Sequence, residues 1–227
     1  MHQLFKFEWF KCRDGYRIEE RSSLVRSILE DDDSEQSGSE RFIVPKSANW
    51  ETYQPLDIPA AYRAFAAWKG SDEGLRKLAD AYGSMTQAQT LKGEYIDHVR
   101  GNVSLLRGLV SRIDRGEWQA IAGGLTSVGK GKPGHPKPGI GRLGVAFEVI
   151  DGKPTFRLKP ATLLDALQAQ ALFDAAHGIE HKKCRNPECE HYFPISGRDA
   201  LRSDAEYHSE ACRRRHAYLI RKKERRS

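Results

Sequence analysis

Long apolar runs are missing from this sequence. Nothing in its 227 residues approaches the roughly 18 consecutive apolar positions of a membrane-spanning helix, and mean hydropathy is −0.65. The opening stretch, MHQLFKFEWFKCRDG, lacks the charged, then apolar, then small-residue order of a signal peptide. A cytoplasmic protein with no membrane partner is therefore expected. Cysteine is scarce, at four residues, and three of them crowd into 184–212 with histidines beside them. In a reducing compartment that clustering favours a metal over disulfides. Familiar catalytic fingerprints are also lacking. There is no H-E-x-x-H, and GKGKPGHPKPG does not match G-x-x-x-x-G-K-[ST], because proline removes amides that would cradle a phosphate. An enzyme is not expected.

What is present in excess is positive charge, and its placement is uneven. From Lys182 to Ser227 thirteen Lys and Arg stand against seven Asp and Glu, an excess equal to the +6 of the whole chain. Residues 1–181 are thus neutral overall. Basic charge confined to one end marks an element that binds a polyanion, or else a solvated basic tail.

Along the chain, LFKFEWF (4–10) and YRI (16–18), joined through Asp14-Gly15, suggest a hairpin. EDDDSEQSGSE forms an acidic loop, 30–40, with nothing apolar to contribute to a core. A short strand is expected at 41–44. Asp57 and Pro59 then suit the start of a helix running through AAYRAFAAW. A second helix, 72–82, has Ser71 as its cap and Gly83 as its stop. Ile96, Val99, Val103, Leu106, Val110 and Ile113 recur at three and four residues, which predicts one apolar stripe along a helix of about 90–114. Such a stripe is usually a core face, and its 3-4 spacing also suits the seam of a homodimer. Gly and Pro interrupt 129–141 too often for helix or strand, leaving a Lys-bearing loop. LGVAFEVIDGKPTFRLKP (143–160) alternates on both sides of Asp151-Gly152, a second hairpin signal. Pro160 is placed to open a helix over 161–177 that ends at Gly178. The expected fold is mainly α with small β-hairpins (α+β). A helical domain over 1–180 precedes a small module over 181–227.

That module carries the strongest local pattern. Cys184-x4-Cys189 and His208-x3-Cys212 are two close pairs separated by eighteen residues, the arrangement with which a chain surrounds one tetrahedral zinc ion. Asn186 and Pro187 favour the tight turn of a knuckle. A helix beginning near Ser209 would bring the second pair to one side. A segment this short and charged holds too little apolar material to fold without a metal. His181, His191 and His216 are competing ligands. With Cys184, Cys189, His208 and Cys212 in place the site is closed, so one structural zinc ion is expected, with no open position for catalysis. A knuckle, a hairpin and a ligand-bearing helix describe a treble-clef-like finger. Such folds do support nucleases, but those need a spare general-base histidine beside a second ligand set.

Beyond Cys212 the sequence reads RRRHAYLIRKKERRS. Arg213, Arg214, Arg215, Arg221, Lys222, Lys223, Arg225 and Arg226 face a single acid, Glu224. On a helix, with Cys212, Leu219 and Ile220 turned inward, these residues would attract phosphate, and Arg suits bidentate contact with it.

FRLKPATLLDALQAQALFDAAHG followed by CRNPECEHYFPISGRDALRSDAEYHSEACRRRHAYLIRKK resembles the tail of bacterial CGNR-type zinc-finger proteins, the ABATE-plus-finger group often called stress-induced transcription regulators. YQPLDIPAAYRAFAAW and LRKLADAYG are similar to the helical N-terminal part of those proteins. The first Cys pair here encloses four residues rather than two, His208 stands where that family has Cys, and CRRR replaces CGNR. The resemblance implies a finger on a helical sensing or dimerising domain, acting as a DNA-binding transcription regulator. A second reading is a protein-interaction module, such as an antitoxin-like or defence-complex subunit, whose basic helix grips an acidic partner.

Overall fold

The structure, a computed structural model, describes residues 7–22, 39–86, 89–126, 143–150, 153–197 and 200–225. Residues 30–38 of the expected acidic loop, the expected loop 129–141, the turn Asp151-Gly152 and Arg226 lie outside the described residues.

Four strands build the N-terminal part: β1 (Trp9–Cys12), β2 (Tyr16–Ser22), β3 (Ser39–Pro45) and β4 (Trp50–Tyr53). β1 pairs antiparallel with β4, Trp9 opposite Tyr53, and β2 with β3, Tyr16 opposite Pro45. The expected hairpin of 4–10 with 16–18 is therefore corrected, because its two arms belong to different sheets. The Arg13 amide donates to Asn49 O, Gly15 N to Cys12 O and Lys46 N to Gly15 O. Asp14-Gly15 is thus a corner in a bent ribbon. Its glycine holds φ +80, and an added Cβ would lie 2.8 Å from Asp80 Oδ1, the carboxylate that accepts from the Tyr16 amide. Pairing each arm with a distant strand buries Trp9, Cys12 and Tyr16 together, which a two-stranded hairpin could not do.

Helix α1 (Ala61–Ala67) starts later than the sequence suggests. Asp57 does not cap it. It closes a 3₁₀ turn, Pro55–Asp57, and the residue before α1 is Ala60, at φ 49 and with no side-chain cap. Gln170 Nε2 donates to Ile58 O at 2.8 Å and helps hold this segment out of the helix. α2 (Asp72–Tyr82) is as expected, with Ser71 Oγ accepting from Gly74 N and Gly83 at φ +80. The next helix begins at 96 rather than 90, because β5 (Glu94–Tyr95) pairs with β3 first. α3 (Ile96–Asp114) buries Ile96, Val99, Val103, Leu106 and Val110, with Ile113 packed at the edge of the same core. The stripe is thus covered by the chain's own residues, and the opposite side of α3 carries the exposed Leu105.

α4 (Trp118–Thr126) has no counterpart in the sequence reading. β6 (Leu143–Ile150) and β7 (Lys153–Pro160) form the expected second hairpin, with Phe147 opposite Phe156. Pro160 does not open the following helix, since it closes β7. α5 (Leu163–Ala176) is started by Thr162 in a capping box, Thr162 Oγ1 accepting from Asp165 N while Asp165 Oδ2 accepts from Thr162 N, each at 3.1 Å. Two backbone donors of the first turn are satisfied reciprocally. α5 is covered nearly all round by α1, α3, the 3₁₀ turn and β7, and it buries Asp165, Gln168, Gln170 and Asp174 along with Leu163 and Leu167.

The C-terminal module consists of β8 (His181–Lys183), β9 (Tyr192–Pro194) and α6 (Glu210–Glu224). Tyr192 packs against the main core, and the His181 ring stands edge-on to Tyr62 of α1 at 6.3 Å. Helices and small antiparallel sheets thus combine in an α+β molecule. Among the described residues no helix is long and apolar enough to cross a membrane.

Candidate metal centre and basic helix

The β8–β9 hairpin ends where Cys184 N donates to His191 O at 3.0 Å. From there Arg185–Cys189 folds into a knuckle. Cys189 N donates to Asn186 O at 2.9 Å, and Asn186 Oδ1 accepts from Glu188 N at 3.2 Å. Asn186 is buried, as a residue that organises a turn from inside must be. The knuckle is tied to the approach to α6 by Arg185 N donating to Glu206 O, and by the Arg185 guanidinium on the Glu206 carboxylate at 2.6 Å. Ser209 then caps α6, its Oγ accepting from Cys212 N.

This frame gathers the four expected ligands. One ligand atom each from Cys184, Cys189, His208 and Cys212 lies within 4.8 Å of every other, so the set could hold one metal ion. Cys189 Sγ and His208 Nδ1 are 3.5 Å apart. Metal–sulfur bonds near 2.3 Å and metal–nitrogen bonds near 2.0 Å, in a tetrahedron, put S and N about 3.5 Å apart, so this edge already has the spacing a bound ion needs. The helix supplies only half of the second pair. Cys212 sits in the first turn of α6, whereas His208 precedes the Ser209 cap and reaches in from extended chain.

The electrostatics of the thiols fit the same purpose. Burial pushes the Cys189 thiol up to about 12, with the neighbouring Cys212 and Cys184 thiols adding to the shift. Three sulfurs this close cannot all ionise without a cation among them. For Cys212 burial works upward too, but the Asn186 side chain, Ser209 and the other two thiols outweigh it and lower the pKa. Its place at a helix N-terminus favours thiolate as well. Burial, and then His191, lowers the His208 pKa, which keeps its ring neutral and fit to ligate. Cys184, Cys189 and Phe193 form a small core with Ile195, Ala205, Tyr207 and Cys212 around it.

None of the three competing histidines joins the set. His191 lies edge-on to His208, with centroids 5.0 Å apart. His216 Nδ1 is 3.0 Å from the Tyr207 hydroxyl. His181 faces Asp174 of α5. Cys12 is buried in the N-terminal ribbon, with its Sγ 3.4 Å from Ser47 O.

No protein-family model, curated protein or solved structure matches this chain.

Beyond the centre, α6 buries none of its residues. Cys212, His216 and Leu219 are half-covered, but Ile220 faces solvent, as does Tyr218, which corrects the expectation that Ile220 turns inward. Arg213, Arg214, Arg215, Arg221, Lys222 and Lys223 all lie on the helix, and Arg225 follows its last turn. The helix is also less bare of counter-charge than the sequence suggests. Arg213 and Arg214 both reach Glu210, and Arg215 reaches Glu188 in the knuckle. Glu188 shows in the sequence only as part of the knuckle, since its partner lies twenty-seven residues on. Asn186 is legible there as a turn residue, but not as a neighbour of the Cys212 sulfur.

Proposed function

We propose that this protein is a nucleic-acid-binding regulator in which one structural zinc ion holds a treble-clef-like finger and the finger presents α6 to DNA. The observation that carries this reading is a fifteen-residue basic helix, anchored at one end by a metal ligand and otherwise unburied. Three thiols and an imidazole are a donor set of zinc chemistry, and four protein ligands leave no open coordination position. The metal therefore serves to position the helix, and no catalysis is assigned to it. Ion pairs with Glu210 and Glu188 offset the charge of Arg213, Arg214 and Arg215. Phosphate contact is accordingly assigned chiefly to Arg221, Lys222 and Arg225 in the last turns. The resemblance to CGNR-type fingers points the same way.

Fluorescence anisotropy with duplex DNA across a salt series tests the proposal. Binding should weaken steeply with salt. A combined Arg221→Glu, Lys222→Glu and Arg225→Glu change should flatten the log–log salt slope by about 0.9 for each phosphate that is no longer neutralised. Absence of affinity at low salt, or an unchanged slope in that variant, would sink the reading. Exposed Tyr218, Ile220 and Leu201 on the same module favour one alternative, a protein partner with an acidic and apolar surface. That alternative predicts a stoichiometric protein, rather than nucleic acid, co-purifying with the chain.

A further inference from the structure

The face of α3 turned away from the core has a composition unlike that of a solvated helix surface, which is normally filled with charged and strongly helix-forming residues. Asp97, Gly101, Ser104, Leu105, Gly108 and Arg112 recur at three and four residues, opposite the buried stripe, and all six are exposed. Between Asp97 and Arg112 this outer stripe carries no charge. Among the described residues of the helical body, the exposed large apolar side chains are Leu91, Leu105 and Trp118, each about half exposed. All three lie on α3 or within five residues of its ends.

Glycine is a poor helix former and weakens a helix interior. Gly101 and Gly108 are in ordinary helical conformation, and an added Cβ at either would meet nothing within 4 Å. Nothing inside the chain therefore calls for glycine at these two positions. A second helix laid along the face does, because the distance between packed helices is set by the side chains at the contact. The charges indicate which helix. Asp97 stands seven positions before Ser104, and Arg112 seven after Leu105. About a twofold axis between Ser104 and Leu105, an antiparallel copy of α3 sets Asp97 opposite the partner's Arg112, Gly101 opposite the partner's Gly108, and Leu105 on the partner's Ser104. Leu91 stands thirteen positions before Ser104 and Trp118 thirteen after Leu105, so the end of one α3 that bears Leu91 lies beside the end of the other that bears Trp118. Arg112 makes no ion pair among the described residues, and the acids that follow it, Asp114 and Glu117, are taken up by Arg63 and Arg115. Asp97 meets Arg100, yet its side chain stays 58 % exposed, and a carboxylate accepts from more than one guanidinium. Both charges lie about 11 Å along the helix from the axis. At a crossing angle of about 20° the helices have diverged there by only about 4 Å, within reach of an arginine.

We propose that the chain forms an antiparallel homodimer through this outer face of α3. The occupant is a second copy because a copy supplies the same two charges, in reversed order and at matching spacing. The seam is not the Ile96–Ile113 stripe, which the chain's own core covers. Antiparallel packing also sets the N-terminal end of each helix beside the C-terminal end of the other, which suits their dipoles. A contact about one helix wide belongs with the small interfaces, so dissociation in the micromolar range is expected. No residue of α6 or of the metal centre takes part, and the dimer stands apart from the nucleic-acid reading.

Sedimentation equilibrium on the full, metal-loaded chain, from about 1 to 200 μM, brackets that range. The mass should rise with concentration from 25.7 kDa toward twice that value. Gly108→Gln introduces a better helix former whose side chain stands between the two helices. It should keep the helical circular dichroism and weaken association about tenfold or more. Asp97→Arg and Arg112→Asp should each weaken association about tenfold by setting like charges together. Mixed in equal amounts, these two variants should recover most of the wild-type association, since each arginine then meets an aspartate. Should a charge variant fail to fold, Gly108→Gln decides alone. A monomer at every concentration, unchanged association in Gly108→Gln, or folded charge variants that stay apart on mixing would overturn the proposal.

Discussion

Arg215 lays its guanidinium across the carboxylate of Glu188, with Nε 2.6 Å and Nη2 3.2 Å from its two oxygens. Glu188 directly precedes ligand Cys189, and Arg215 follows ligand Cys212 by three residues. The contact therefore ties the knuckle to α6 beside the candidate metal centre. The same guanidinium lies over the Tyr218 ring, 5.4 Å from its centre. An arginine that by sequence belongs to a nucleic-acid face is here engaged within the module.

This relationship predicts a charge-reversal rescue. Glu188→Arg alone and Arg215→Glu alone should each lower metal affinity modestly, the pair being exposed and screened by water. The double reversal should restore most of that affinity. Competition with a chromogenic chelator measures all three, and additive effects in the double variant would show that the ion pair contributes nothing.

Metal removal should have a far larger effect. Cys184→Ser with Cys212→Ser, or chelation, should melt 181–225, because its apolar core consists largely of the ligand cysteines themselves. The α3-centred core should remain folded. Elemental analysis should return one zinc per chain, and circular dichroism should lose roughly the α6 share of its helical signal. Much less than one metal per chain, or no spectral change on chelation, would contradict the assignment. Since the Cys189 thiol holds its proton to about 12 without metal, metal affinity should also fall steeply with acid.

Asp174 and His181 make opposite contributions to stability against pH. Burial raises the Asp174 carboxyl from 3.8 to about 6, although Tyr62 and Arg63 pull it down. A raised acid contributes stability that is present below pH 3.8 and lost as pH rises through about 6. Burial, with Arg63 adding to it, lowers His181 from 6.5 to about 4. A depressed imidazole contributes stability present above pH 6.5 and lost as pH falls through about 4. Each shift corresponds to about 3 kcal/mol, and between pH 4 and 6.5 the two slopes largely cancel. Asp174→Asn should therefore make the protein less stable toward acid across that window. His181→Gln should make it less stable toward neutral pH. Urea unfolding at pH 4.5, 5.5 and 6.5 reads the slopes directly, and parallel curves for both variants would refute the opposition.

Gly83 should not tolerate a side chain. Its φ of +80 is coupled to a ψ of −170, and an added Cβ would sit 2.1 Å from Phe10 O, a backbone atom that cannot swing away. The conformation alone costs a non-glycine residue about 1–3 kcal/mol, and the clash adds to that. Gly83→Ala should lower Tm sharply, whereas Gly101→Ala, with open space at that position on α3, should not.

The features legible in the sequence are those whose physics is local. Ser71 and Gly83 bound α2 because cap chemistry acts within one turn. The stripe from Ile96 to Ile113 announces a buried helix face because helical period is a property of neighbours. The two ligand pairs stand out because a knuckle and a helix start each place their donors within five residues. Tertiary structure decided the rest. Asp14-Gly15 has hairpin chemistry, yet the chain bends there, because β1 pairs with β4 and β2 with β3 rather than with each other. The charge on α6 looks unbalanced along the sequence, but Glu188 is brought to Arg215 only by the packing of the knuckle against the start of α6. Gln170, Asp174 and His181 give no local sign of lying together. Two lie on a helix buried nearly all round and the third on a strand of the C-terminal module, and only the docking of one on the other buries their polar atoms together.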